Sequence, residues 1–365
     1  MKSKVKVLQV LYSGLGGHAS VVFSLIDGDI EKKWNHSLLF YGIETLVDEY
    51  AQKATERRIS FSAIKARAGK PWQSWKMFYD SLKEKEPDLI LLHSSSLLIP
   101  AWWYSRRRGI KLITVEHTPN QVKRPVEKWL SVLAQYLSNA VVLLTESYYN
   151  ESKKALGIHF HQTKTHIIAN GIDTNFFVPS KIKRDTDNIR LGMAARFSSQ
   201  KDQALLVDTM EKLMESGKKK FQLWLAGDGA ELENIKKLVK EKGLEGHIFF
   251  FGNLNEKKLL EFYQQLDIYV HASMGETMST SIMQAMACGL PIVASDIPGI
   301  NSLLNGETGV LVTQEMSAFT KAISVLVISK EASCAMRERA RVYAESHFSS
   351  KRMFEEYNSL VEKMF

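Results

Sequence analysis

The chain is poor in cysteine. Only Cys288 and Cys334 occur in 365 residues, which excludes a disulfide framework and a clustered thiolate metal site and fits a cytoplasmic compartment. Long apolar runs are also missing. The most apolar later segment, LILLHSSSLLIPAWWY, is broken by three serines, a histidine and a proline, so it does not qualify as a transmembrane helix. The start, MKSKVKVLQVLYSGLGG, has a basic head, but its apolar run is short and β-rich. It lacks a small-residue cleavage site and leads into a glycine turn, so it reads as a first strand and not as a signal peptide. Internal repeats and low-complexity segments are absent. No Asp-x-Asp metal motif stands at a strand end. DGD, with Asp27 and Asp29, fits the pattern literally, but it lies early and reads as a turn.

What is present describes a folded protein of two domains. Apolar residues make up 45% and charged residues 24%, ordinary values for a chain with a sizeable core. The length exceeds one ordinary core and fits two α/β units with a cleft between them. The net charge of +8 is unevenly placed. Residues 1–178 hold 24 Lys and Arg against 16 Asp and Glu, whereas residues 179–365 hold 24 of each. The excess in the first half is either a solvated basic surface or a surface that meets something anionic, such as a membrane, a phospholipid-linked substrate or a nucleic acid.

The stretch 271–299, HASMGETMSTSIMQAMACGLPIVASDIPG, commits the chain to a chemistry more than any other. A buried strand runs into it and PIVAS makes another. Between them, residues 279–288 are helical, with Ile282, Met283, Met286 and Ala287 as one apolar stripe and Gly289 as the stop. A loop that opens such a helix aims backbone N–H groups and the positive end of the helix dipole above the sheet, where a phosphate fits. Glu276 stands in that loop. Gln284 follows about two turns along on roughly the same face.

Residues 5–12 make the first strand, and SGLGGHAS opens a helix through a glycine turn, with Gly14, Gly16 and Gly17 allowing close backbone approach. Their spacing does not fit GxGxxG, which disfavours a dinucleotide site. Further strands are expected at 37–41, 88–93, 111–116 and 141–145, with helices between them, hence a mostly parallel sheet covered on both faces. His117 follows a strand, in a position to bind a substrate hydroxyl or phosphate or to be a satisfied structural residue. Two aromatic and basic clusters, Trp72, Trp75, Phe78 and Tyr79, then Trp102, Trp103, Tyr104 and Arg106 to Arg108, suit a lipid headgroup boundary, or pack under helices with their charges solvated. Asn170 and Gly171 are expected to turn, Phe176 and Phe177 to pack that turn down, and residues 180–188 to link the domains.

The second half restarts the pattern of strand, loop and helix. Arg196 and Lys201 lie on its first strand-to-helix loop, where ligands bind in parallel sheets. Arginine as a fork and lysine as a point charge suit a diphosphate, although each alone reads as a surface charge. LAGDGAELE repeats strand, glycine loop and helix. The tail 332–365 is helical and expected to pack back across the first domain.

Taken together, SGLGGHAS, IIANGIDTNFF, AARFSSQKD, LAGDGAELE and ETMSTSIMQAMACGLPIVASDIPG with TGVLV resemble, over the whole chain, the retaining nucleotide-sugar glycosyltransferases of glycosyltransferase family 4, also called glycosyl transferases group 1. The resemblance implies a GT-B fold, with an acceptor-binding Rossmann-like domain at 1–178, a donor domain at 179–348 and a terminal helix at 349–365. It implies that Arg196 and Lys201 hold the donor diphosphate, with Gly16 and Gly17 facing the donor phosphate from the other domain. His117 would contact the sugar or acceptor, and Glu276 the transferred sugar. Gly227, Asp228, Thr277, Met278, Ser279, Thr280 and Gln284 complete the implied donor site. Family members carry a second Glu where this chain has Gln284, and EGFG where it has ETMS. The amide retains a ribose acceptor but loses its charge-assisted part.

The implied reaction moves a sugar from a nucleotide sugar, a UDP-sugar first, to a glycan or lipid-linked acceptor in cell-surface polysaccharide, lipopolysaccharide or glycolipid synthesis. It needs no prosthetic group and no metal. The expected place is cytoplasmic, peripheral on the inner face of the membrane, with an anionic membrane surface as a partner and no nucleic acid. Alternatives are a non-catalytic sugar-nucleotide-binding subunit, to which Gln284 points, or an epimerase or phosphorylase of the same fold.

Overall fold

Short runs rich in Val, Ile, Leu and Phe are strands in this chain, and segments with apolar residues three and four apart are helices. In the computed structural model, which describes residues 4–14, 17–67, 69–118, 120, 123–181, 188–215, 217 and 220–365, the first half forms β1 (Val5–Tyr12), α1 (Gly17–Gly28), β2 (Trp34–Gly42), α2 (Asp48–Glu56), β3 (Ser60–Lys65), α3 (Trp75–Lys85), β4 (Leu89–Leu92), α4 (Leu98–Arg108), β5 (Lys111–Val115), α5 (Pro125–Leu137), β6 (Ala140–Leu143), α6 (Glu146–Leu156) and β7 (Thr165–Ile167). Every strand pairing in it is parallel, in the order β3-β2-β1-β4-β5-β6-β7. The expected strands are central ones. The edge strands β3 and β7 went unread because SFSAIK is largely exposed and THI is only three residues long.

Helices cover both faces. Phe78 and Leu82 of α3, Ala101 and Tyr104 of α4, Ala134 of α5 and Tyr148 of α6 pack on one face, and Ala19, Val22 and Phe23 of α1 with Tyr50 of α2 on the other. The aromatic clusters therefore split. Phe78 and Tyr104 are core, whereas Trp72 and Trp103 are exposed.

The second half forms β8 (Asn188–Ala194), α7 (Gln203–Glu215), β9 (Lys220–Ala226), α8 (Leu232–Glu241), β10 (Ile248–Gly252), α9 (Glu256–Gln265), β11 (Ile268–His271), α10 (Thr280–Ala287), β12 (Ile292–Ser295), β13 (Val310–Val312), α11 (Met316–Ile328), α12 (Lys330–His347) and α13 (Ser350–Glu362). Its sheet, again parallel, runs β10-β9-β8-β11-β12-β13. Strand order reverses between β1 and β4 in one sheet and between β8 and β11 in the other. In open parallel sheets these are the places where ligands bind beyond the carboxyl ends of the strands.

The chain divides into Met1–Gly171 with Ser350–Phe365, and Ile172–Ser349. The first boundary thus lies at 171 and not at 178, because Phe177 belongs to the second unit. Its buried ring meets Tyr263 edge-on at 6.1 Å, and Arg341 donates to its carbonyl at 2.7 Å. The second boundary falls after 349. No turn forms at Asn170 and Gly171. Ile172 bridges Ser349, and the turn comes at 174–176, where Asp173 Oδ1 accepts the N–H groups of Asn175 and Phe176. Residues 182–187 of the expected linker, and Gly16, lie outside the described residues.

The tail splits likewise. α12 stays with the second unit, and α13 returns to the first, against α1. Trp34 Nε1 donates to Asn358 Oδ1 at 3.0 Å, and Arg352 donates to the carbonyl of Ala169 at 2.7 Å. The chain passes so close at Gly28 that a Cβ there would lie 2.2 Å from the Ser350 carbonyl oxygen. Gly28→Ala should therefore lower the unfolding free energy by about 1–3 kcal/mol. Denaturant unfolding should show the loss, with faster amide exchange in α13.

Candidate active site

In the second unit the loops after β8 and β11 are stitched together. Met274 N–H donates to the Gln200 carbonyl at 2.8 Å, Ser273 Oγ to the same oxygen at 3.1 Å, and Asp202 N–H to Ala272 at 3.2 Å. Ser273 N–H donates to Ser295 Oγ at 3.0 Å, which ties in the end of β12. Three polar side chains converge on this frame. Lys201 Nζ donates to Glu276 Oε1, and His271 Nε2 lies 2.9 Å from the same oxygen. Lys201 and Glu276 side chains are 16% and 14% exposed and His271 only 1%, so the cluster is largely desolvated.

Burial, and then Lys201, hold the His271 imidazolium well below its usual range. The ring is therefore neutral with one N–H. Because a carboxylate only accepts, that N–H is on Nε2, and Nδ1 takes the Tyr269 hydroxyl 3.2 Å away. Burial also pushes Lys201 down to about 7, against the Glu276 carboxylate beside it. A buried pair of this kind is held by its partners, and Lys201 loses its proton as pH rises through about 7.

The helix that follows supplies donors. Ser279 caps α10 without a side-chain cap hydrogen bond, so the first-turn N–H groups are left to whatever sits at that end. The expected stripe is all buried, as Ile282, Met283, Met286 and Ala287, and Thr277, Met278 and Ser279 are buried at the helix entry. Gln284 is buried too. Its Oε1 accepts from the Tyr263 hydroxyl at 3.1 Å, so this oxygen already has an internal partner. Arg196 is exposed, with its carbonyl held by Gln203 Nε2 at 3.1 Å, and Asp228 is exposed after β9, accepting from Gly229 N–H at 2.7 Å. Gly227 N–H donates to the Gly252 carbonyl at 2.8 Å.

In the first unit, the strand ends bring His117 to two histidines that the sequence reading passed over. His93, at the end of β4, lies with Nδ1 2.9 Å from His117 Nε2, and its Nε2 lies 2.9 Å from Gln9 Oε1 on β1. The His18 ring, in α1, is 4.5 Å from that of His117. Burial lowers His93 to about 3 and holds His117 well below its usual range, with the neighbouring histidines adding to both. Since Gln9 Oε1 accepts, His93 bears its proton on Nε2, and His117 donates from Nε2 and keeps Nδ1 as an acceptor. The signal that singled out His117, a histidine where a parallel strand ends, applies equally to His93. The loop beyond is anchored by buried Lys123, which donates to Glu116 and to Ser131 Oγ. Gly17 opens α1. The Asp27 and Asp29 pair is not a turn but the end of α1, with Asp27 in the helix and Asp29 just past Gly28. Asp29 accepts the N–H groups of Lys33 and Trp34, and Asp27 pairs with Arg57.

Two family models cover nearly the whole chain, Glyco_transf_4 (Glycosyltransferase Family 4) over residues 15–176 and Glycos_transf_1 (Glycosyl transferases group 1) over 175–343. The chain belongs to the family 4 glycosyltransferases. Its fold is the GT-B type of two parallel-sheet α/β domains. The family 4 chain is 25% identical over 209 residues to the O-antigen biosynthesis glycosyltransferase WclY of Escherichia coli, covering 55% of this chain and 56% of that one. It is 24% identical over 249 residues to an Escherichia coli UDP-Gal:alpha-D-GlcNAc-diphosphoundecaprenol alpha-1,3-galactosyltransferase, covering 63% of each chain. The match to WclY thus spans about half of that relative's length. Among solved structures, Anabaena HepE in complex with UDP and glucose superposes with a TM-score of 0.84 at 18% identity, over 98% of this chain and 99% of that one.

One position tests how tightly the Glu276 loop is held. Gly299 has φ +87°, and a Cβ there would lie 2.2 Å from the Glu276 carbonyl oxygen. Gly299→Ala combines a left-handed backbone with a backbone clash, and should destabilise the second unit by about 1–3 kcal/mol, read as a lowered Tm.

Proposed function

We propose that this family 4 protein is a retaining glycosyltransferase. It moves a sugar from a UDP-sugar to a hydroxyl of a glycan or lipid-linked glycan in cell-surface polysaccharide or lipopolysaccharide synthesis, at the inner membrane face. The observation that carries the proposal is the desolvated cluster of Lys201, Glu276 and His271 beside the open N-terminus of α10. UDP in the Anabaena neighbour and the O-antigen and diphosphoundecaprenol names of the relatives support the donor and acceptor classes.

In the absence of donor, Glu276 occupies Lys201. An arriving diphosphate takes over the lysine and the helix N-terminus, with exposed Arg196 as a second cation, and this releases the Glu276 carboxylate to accept from hydroxyls of the sugar. The bond from the anomeric carbon to the phosphate oxygen breaks, and the diphosphate leaves with the electron pair. The acceptor oxygen bonds to the same face, and its proton passes to the departing phosphate. Preorganised cations and N–H groups stabilise the charge that develops there, so the step is proposed to proceed without a metal. His117 Nδ1 offers an acceptor for a hydroxyl of the sugar or the acceptor.

Incubation with UDP-sugars and a lipid-linked acceptor, in chelator, should release UDP only when acceptor is present. The product should have the anomeric configuration of the donor by NMR. An inverted product, or UDP release that requires added metal, would sink the proposal. Lys201→Ala should reduce kcat/KM by about 10²–10³. The affinity of wild type for UDP should fall as pH rises above about 7, because Lys201 loses its proton there. The fall should approach tenfold per pH unit at most. Lys201→Arg, which stays charged, should flatten the profile, and calorimetry reads both.

A further inference from the structure

The exposed tryptophans of the first unit gather in one helical layer. Trp72 (57% exposed) precedes α3, Trp103 (41%) lies in α4 and Trp129 (54%) in α5. All three helices pack on the same core cluster and hence on the same face of the sheet. Between α3 and α4 runs an open groove of about 450 Å³, lined by Trp75, Tyr79, Ile99, Pro100, Trp102 and Trp103, with Lys76 as its charged residue.

The cations around the groove indicate what covers it. Arg107 lies over the Trp103 ring at 3.9 Å and Lys83 over the Tyr79 ring at 4.8 Å, while the two rings are 5.2 Å apart. α4 ends in three consecutive arginines and has no acidic residue. α3 carries Lys76, Lys83 and Lys85 against Asp80 and Glu84. Aromatic rings at an apolar groove, two of them, Tyr79 and Trp103, with a cation on the face, match the boundary of a bilayer, where rings sit at headgroup depth and cations meet lipid phosphates. A soluble protein partner would not require three consecutive arginines at the end of α4, beside the apolar residues.

We propose that the α3–α4 face docks on an anionic bilayer, with the groove taking apolar lipid chain and Arg106, Arg107, Arg108 and Lys83 meeting the headgroup phosphates. This goes beyond the catalytic reading, because docking is measured with no donor present, and either can fail without the other.

The test is co-sedimentation of the full chain with phosphatidylcholine vesicles, with and without phosphatidylglycerol. The protein is expected to sediment with the anionic vesicles only, and to be released as salt rises. Replacing Arg106, Arg107 and Arg108 together by Gln should weaken binding roughly a hundredfold at low salt. Trp72→Ala with Trp103→Ala should weaken it at least about tenfold. Both sets are exposed, so unchanged thermal unfolding is expected, and turnover on a water-soluble acceptor should be unaffected. Lys4→Gln with Lys6→Gln, just before and on β1, should bind nearly as wild type and so controls for loss of positive charge elsewhere in the first unit. Equal binding to neutral vesicles, no binding to either, or an equal loss in the β1 control would overturn the proposal.

Discussion

Much of the strand-end frame of the second unit depends on one ion pair held mostly out of water. Lys201 and Glu276 come from different loops, after β8 and β11, and neither would be stable in its place alone. A buried carboxylate without its cation, or the reverse, is strongly unfavourable, whereas the pair with a third donor is tolerated. His271 provides that third contact at 2.9 Å, and Tyr269 fixes its ring from the other side. The backbone bonds joining 200, 202, 272 and 274 hold the two loops in register beneath it. The pair thus keeps a cation and a carboxylate in place at the point where strand order reverses.

The same logic in a neutral form operates in the first unit. There the buried groups are histidines, and burial removes their charge instead of pairing it. The chain from Gln9 to His93 to His117 then sets tautomers, since each ring has one proton to give. Where the second unit stores charge, the first stores direction. Both devices sit at the carboxyl ends of strands flanking a reversal, between β1 and β4 and between β8 and β11.

Gln284 takes on a different meaning once packing is known. In sequence it stands as a weakened match at the second acidic position of the family. In the fold its oxygen receives the Tyr263 hydroxyl, and that tyrosine also meets Phe177 and so holds the segment that follows the domain boundary. A neutral amide in this buried place avoids setting a second carboxylate in the core.

What the sequence determined by itself was the alternation of strand and helix, the parallel character of the sheets and the stretch 271–299, because hydrophobic period and turn residues are local properties. β11, α10 and β12 all lie within that stretch, and Lys201 and Glu276 were both singled out from their positions on strand-end loops. Only the tertiary structure decided which of these residues meet. No spacing reveals that Lys201 lies against Glu276, that His93 backs His117, or that Lys123 is buried on Glu116. Nor does any spacing place the domain boundary at Gly171, because the side on which Phe177 packs depends on Tyr263 and Arg341 far along the chain. Local patterns fix what each segment is, and only long-range packing fixes what it touches.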